Sequence, residues 1–168
     1  QRTDPAIVLY SSIDEGASWQ MVSVIVTGGT DLWADPVWEP YLLVHDGKLV
    51  VYYSDEHEDN FFPASVAGQY EGGQILAHKT STDGVNWSAA VQDVGTDFYS
   101  GRPGMTNIVP TTDGKWLLTF EYWGGGAHNR IKVCADPLAC DPSDLGTEAP
   151  SWWGGSPVLL AMPDGRIV

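Results

Sequence analysis

Two kinds of turn alternate along this chain, and that alternation limits its fold more than any other feature. Asp46-Gly47, Asp113-Gly114 and Asp164-Gly165 each separate two apolar runs. The flanking runs are Tyr41–His45 with Lys48–Tyr53, Thr106–Pro110 with Lys115–Phe120, and Pro157–Met162 with Arg166–Val168. Asp-Gly between apolar runs is a strong β-hairpin signal, because both residues tolerate the positive φ of a tight turn. The second kind of turn is Ser12-Ile13-Asp14-Glu15-Gly16-Ala17-Ser18-Trp19, with a variant one residue shorter at Ser81-Thr82-Asp83-Gly84-Val85-Asn86-Trp87. Each follows a strand-like run, Ala6–Tyr10 in one case and Gln74–Lys79 in the other. Ser and Asp bond the turn backbone, Gly takes positive φ, and Trp folds back over the turn. An Asp-Gly hairpin followed by a Ser-Asp-Gly-Trp hairpin makes a four-stranded antiparallel unit, and the chain repeats it.

This Ser-Asp-Gly-Trp turn resembles the Asp-box of sialidase-like β-propellers. The expected fold is therefore all-β, with four-stranded antiparallel sheets as the blades of a propeller. Residues 6–30 read as the outer half of one blade. Residues 38–95 read as a whole blade with an insertion over 56–73 that carries Phe61 and Phe62. Residues 102–150 read as a second whole blade, and 155–168 as the first hairpin of the next. Blades in this number leave a ring unclosed, since closure takes about 4–8. The chain is thus expected to be part of a longer propeller protein, inactive by itself. A small sandwich of the same strands is the competing architecture.

Composition narrows the partners. The net charge of −14 disfavours nucleic acid and anionic membrane, both of which need clustered Lys and Arg, and leaves neutral ligands such as sugars. No run of 18 apolar residues is present, so no transmembrane helix is expected. Cys134 and Cys140 flank a short loop, compatible with a local disulfide or with two free thiols. The acidic run Asp55-Glu56-His57-Glu58-Asp59 lacks metal-loop spacing and reads as solvated loop. Neither a metal nor a cofactor is expected.

Two glutamates stand among apolar and aromatic residues, where a carboxylate is costly unless something uses it. Glu39 lies in Trp38-Glu39-Pro40 at the start of an innermost strand, and Glu121 lies in Phe120-Glu121-Tyr122-Trp123 at the end of a second strand. Matching proline to proline aligns Glu39-Pro40 with Arg102-Pro103 and Ser156-Pro157. The reading places Glu39 and Glu121 on one mouth of the propeller, with Arg102 between them. Trp38 shields the acid from water. Trp33, Tyr53, Tyr122 and Trp123 offer flat faces to sugar rings, and His78 is a further mouth candidate. Trp19 and Trp87 serve packing.

The runs Trp38–Leu43, Tyr52–Glu56, Gly101–Met105 and Phe120–Tyr122 resemble the six-bladed propellers of glycoside hydrolase family 93. The similarity runs in order through residues 37–168. It implies a secreted, extracellular, exo-acting and retaining hydrolase of α-1,5-L-arabinan or a related neutral polysaccharide, monomeric at full length. Carried over by motif, Glu39 matches the acid/base and Glu121 the nucleophile. Two other functions remain open. A sialidase would need an arginine cluster, and a non-catalytic carbohydrate-binding propeller would leave both glutamates dispensable.

Overall fold

A computed structural model describes residues 5–29, 35–57, 73–95, 101–123, 128–149 and 154–168. It is all-β, with three antiparallel sheets in chain order. The first pairs β1 (Ala6–Ser11) with β2 (Gln20–Thr27). The second runs β3 (Val37–His45), β4 (Lys48–Asp55), β5 (Ile75–Ser81), β6 (Val91–Val94) as consecutive neighbours. The third does the same with β7 (Arg102–Pro110), β8 (Trp116–Trp123), β9 (His128–Cys134) and the short β10 (Thr147–Glu148). Residues 157–168 form a further hairpin, with Leu160 and Val168 exchanging backbone hydrogen bonds. The sheets form an unclosed propeller, not a closed sandwich.

The turns carry the geometry their residues dictate. Asp46 (φ 46°) and Gly47 (φ 71°) close β3–β4 as a two-residue turn whose positive φ values match the twist of the strands. The other two Asp-Gly turns are longer and alike. Thr111 N–H bonds Lys115 C=O, Met162 N–H bonds Arg166 C=O, and Gly114 and Gly165 take the positive φ. In the Ser12–Trp19 turn, Asp14 accepts from the Ser18 backbone and hydroxyl at 2.9 and 2.6 Å. These bonds and that from Ser12 draw its carboxyl down to about 2. In the shorter turn, Asp83 accepts from the Val85 and Asn86 backbone N–H groups at 2.8 Å each. Trp87 packs inward and donates to Ser23 Oγ on the first sheet at 3.0 Å, whereas Trp19 lies on the surface with its Nε1 on Gly16 C=O.

Each sheet buries its faces against its neighbours. Along β4, Val50 and Tyr52 enter a cluster with Leu76, Val94, Ile108, Leu118 and Phe120, between the second and third sheets. The alternate residues Val51 and Tyr53 enter another, with Ile7, Ile25, Val37, Ile75 and Ala77, between the first and second. Successive strand side chains point to opposite faces, so a strand covered on both sides reads as an unbroken apolar run. Burying each aliphatic side chain contributes about 1.5–3 kcal/mol.

A polar clasp joins the second and third sheets. The ammonium of Lys132 on β9 is buried and donates to the backbone carbonyls of Asp93, Asp141 and Asp144 at 2.6, 2.7 and 3.1 Å. Burial pulls that ammonium below its ordinary value, against nearby Asp144, Asp93 and Asp141. Gly95 N–H bonds Pro142 C=O, and Tyr52 OH bonds Pro137 C=O at 2.6 Å. A Cys134–Cys140 disulfide closes the loop that carries Pro137, just before the segment that carries Asp141, Pro142 and Asp144, so the two cysteines are paired.

Replacing Lys132 with Met keeps the stem and removes the donor, leaving three carbonyls and the buried Asp93 without it. The expected loss of unfolding free energy is about 2–4 kcal/mol, read from the denaturant midpoint. A change below about 0.5 kcal/mol would mean the clasp contributes nothing.

Candidate active site

The site begins with a bulge. In β3, Trp38 pairs with Ser54 and Tyr41 with Tyr52, so Glu39 and Pro40 together oppose the single residue Tyr53. In β7, Gly104 pairs with Glu121 and Asn107 with Thr119, so Met105 and Thr106 oppose Phe120. Glu39 and Met105 have φ of 57° and 51°, and Ser156 repeats this at 56° before Pro157. A left-handed non-glycine residue is uncommon and costs about 1–2 kcal/mol. Its recurrence marks one structural position, and bulges of this kind re-aim side chains beside functional sites.

This corrects the alignment drawn from prolines. Met105, not Arg102, is the counterpart of Glu39. Arg102 stands three residues earlier, paired with Trp123 at the strand end. The bulge sets the register, and a proline preceding it in one strand and lying within it in another is a poor marker. Counting back from the Asp-Gly turns finds the position more directly: Met105 and Ser156 each lie eight residues before the Asp, and Glu39 seven.

Both glutamates are held by hydrogen bonds. Glu39 Oε2 accepts from Ser54 Oγ at 2.7 Å and from the Met105 backbone N–H at 2.8 Å. Glu121 Oε2 accepts from the Ser156 backbone N–H at 2.8 Å. Gly104 lies between them. A Cβ built there would stand 3.1 Å from Glu39 Oε2 and 3.4 Å from Glu121 Oε1. These two legs share one point, so the two oxygens are at most about 6.5 Å apart. The same Cβ would meet Gln74 Nε2 at 2.7 Å, and a Cβ on Gly155 would overlap Glu121 Oε2.

The other expected site residues divide. Among the described residues, Arg102 is held by an acid other than the two glutamates. Its guanidinium makes a two-pronged ion pair with Glu56, at 3.0 and 2.7 Å, and donates to Gln74 Oε1 at 3.1 Å. Glu56 also accepts from Trp38 Nε1 at 2.7 Å, so the Trp38 ring is fixed by its indole N–H to the same carboxylate that holds Arg102. Asp55 and Glu56 are accordingly not solvated loop. Asp55 is buried and binds His57 Nδ1 at 2.6 Å, a contact that raises the imidazole above its ordinary value.

Three aromatic or histidine expectations are overturned by burial. Tyr53 is fully buried between the first and second sheets. Tyr122 is buried in the other cluster with the Arg130 guanidinium 4.7 Å from its ring centre. His78 is buried against Tyr52, and its Nδ1 lies 2.9 Å from both oxygens of Asp93. Trp123 is 46 % exposed and remains at the strand end paired with Arg102. Trp33, Glu58, Asp59, Phe61 and Phe62 lie outside the described residues.

Sequence reasoning aligned Ser156 with Glu39 but assigned no site role to Ser54, Glu56, Gln74, Gly104 or Met105. Gln74 is buried, and its Nε2 donates to Pro103 C=O at 2.7 Å, which ties the β7 strand start to the second sheet.

No protein-family model matches the chain, and no curated protein matches it by sequence. Solved structures do. An α-L-arabinanase of Penicillium chrysogenum complexed with arabinobiose is 29% identical with a TM-score of 0.82, over 98% of this chain and 47% of that one. An α-L-arabinofuranosidase from Fusarium graminearum in complex with an iminosugar inhibitor is 28% identical with a TM-score of 0.72, over 88% and 44%. A glycoside hydrolase family 93 α-L-arabinofuranosidase of Fusarium graminearum with arabinobiose, 22% identical, shares the fold at a TM-score of 0.73, over 97% and 60%. The chain spans about half the length of the first two. In fold, it is a partial β-propeller resembling the α-L-arabinanase and α-L-arabinofuranosidase structures of glycoside hydrolase family 93.

Proposed function

We propose that this site belongs to an exo-acting, retaining glycoside hydrolase of α-1,5-L-arabinan or a related neutral plant polysaccharide. The observation that carries the reading is the pair of glutamate oxygens at most about 6.5 Å apart across a glycine without a side chain. Retaining enzymes place their carboxyl groups about 5–5.5 Å apart, and inverting enzymes about 6.5–9.5 Å apart to admit a water. A close pair favours retention. The likeness to arabinan-related structures supports the sugar.

Glu121 is the nucleophile in this reading. Its Oε2 is engaged by Ser156, and Oε1, facing the Gly104 gap, attacks the anomeric carbon. Glu39 is the acid/base. Its carboxyl, held through Oε2 by Ser54 and Met105, delivers a proton to the departing glycosidic oxygen as that bond breaks. The same carboxylate then takes a proton from the water that cleaves the glycosyl ester and frees Glu121.

A sialidase reading is disfavoured by the three arginines among the described residues. Arg102 is paired with Glu56, Arg130 lies over Tyr122 and donates to Leu145 C=O, and Arg166 is paired with Asp164. A substrate carboxylate would have to compete for each. The Ser12–Trp19 and Ser81–Trp87 turns are Asp-boxes on this account. The protein acts outside the cell as a monomer, where an oxidising environment maintains the Cys134–Cys140 bond.

In the full-length protein, Glu39→Gln and Glu121→Gln should each lower kcat on linear arabinan by about 10³-fold with Tm preserved. Either variant retaining more than about a tenth of the activity would remove that residue from the chemistry. Gly104→Ala should lower kcat by about a hundredfold, because its methyl displaces Gln74 Nε2 and crowds Glu39 Oε2, and small misplacements of reacting groups are costly. Unchanged turnover in Gly104→Ala would show that the reacting groups do not meet across this gap.

A further inference from the structure

The two carboxylates are held by the same device. Gly104 precedes Met105 and Gly155 precedes Ser156. In each pair, the second residue has positive φ and gives its backbone N–H to a glutamate of the preceding sheet. The glycine is what allows the approach. A Cβ at Gly104 would stand 3.1 Å from Glu39 Oε2, and one at Gly155 would overlap Glu121 Oε2. Glycine in the second place would adopt the left-handed turn without strain. The chain instead carries Met and Ser there, and strained non-glycine positions cluster where their side chains serve a site.

Those side chains meet each other. The Ser156 hydroxyl lies 2.8 Å from Met105 Sδ, across the boundary between the third sheet and the next hairpin. Ser156 is exposed and Met105 is half-buried, so the pair forms surface beside the carboxylates. A polarizable thioether with one hydroxyl presents no charge. Such a wall suits a neutral sugar ring, which needs an apolar surface and few placed polar groups.

Resting on the glycosidase reading, we infer that Met105 and Ser156 are a specificity-determining pair. Their backbone N–H groups clamp Glu39 and Glu121, and their touching side chains form the wall against which the neutral sugar lies.

Met105→Gly and Ser156→Gly keep both N–H donors, relieve the positive-φ strain and delete the wall. In the full-length protein, each should raise KM for short arabino-oligosaccharides about fivefold, a larger factor than any change in kcat. The double variant should be less than additive, because the two side chains are in contact. Unchanged KM, or a fall in kcat with KM constant, overturns the specificity role. A second readout needs no turnover. Amide hydrogen exchange should speed up at least about tenfold at Met105 in Glu39→Ala and at Ser156 in Glu121→Ala, each without the other. Equal exchange in variant and wild type overturns the clamp. A wild-type protein that hydrolyses no arabinan overturns the glycosidase reading and the specificity role together, while the exchange measurement still judges the clamp.

Discussion

Alternation along β4 is the constraint on which the rest depends. Val50 and Tyr52 commit one face of the second sheet to the third, and Val51 and Tyr53 commit the other face to the first. A sheet apolar on both faces needs a neighbour on each side, so sheets stack face to face around an axis. That stacking fixes the spacing between strands from different sheets. The bonds of Lys132 to the Asp93 carbonyl, of Tyr52 to the Pro137 carbonyl and of Gly95 to the Pro142 carbonyl then lock the second sheet to the third.

The placement of the two carboxylates follows from the stacking because no one sheet holds both of them with their donors. Glu39 comes from β3, its N–H donor from β7, Glu121 from β8, and its donor from the hairpin beyond. Each carboxylate is bound by the sheet after its own, so the two can face each other only when the sheets are in register. The network of Trp38, Glu56, Arg102 and Gln74 spans the same boundary and ends on the carbonyl of Pro103, beside Gly104. Its polar atoms are paired at the place where an unpaired one would be most costly. On this view Arg102 is a positioning residue, tying the start of β7 to the second sheet.

Much of this was legible in the sequence, for local reasons. Asp-Gly pairs and Ser-Asp-Gly-Trp turns specify hairpins through φ preference and side-chain-to-backbone bonds, which act within a few residues. Glu39 and Glu121 stood out because acids are rare among tryptophan, tyrosine and phenylalanine. What escaped was set at long range. Tyr53, Tyr122 and His78 read as sugar contacts because one strand's sequence does not tell which face a neighbour will cover. Arg102 read as the partner of the glutamates because its true partner, Glu56, lies 46 residues away behind an apparent surface run. The bulge at Met105 was hidden because Thr106 stands where Glu39 and Ser156 are each followed by proline.

The central claim is that Glu39 and Glu121 face each other across Gly104 closely enough for one to attack the sugar directly. The stereochemistry of the first product tests this, since attack by a carboxylate followed by water restores the anomeric configuration. Proton NMR during hydrolysis of α-1,5-arabinan by the full-length protein, read before the sugar mutarotates, gives the answer. Initial appearance of the α-anomer is the predicted result. Initial appearance of the β-anomer would mean that water attacks the sugar directly, and would contradict the account.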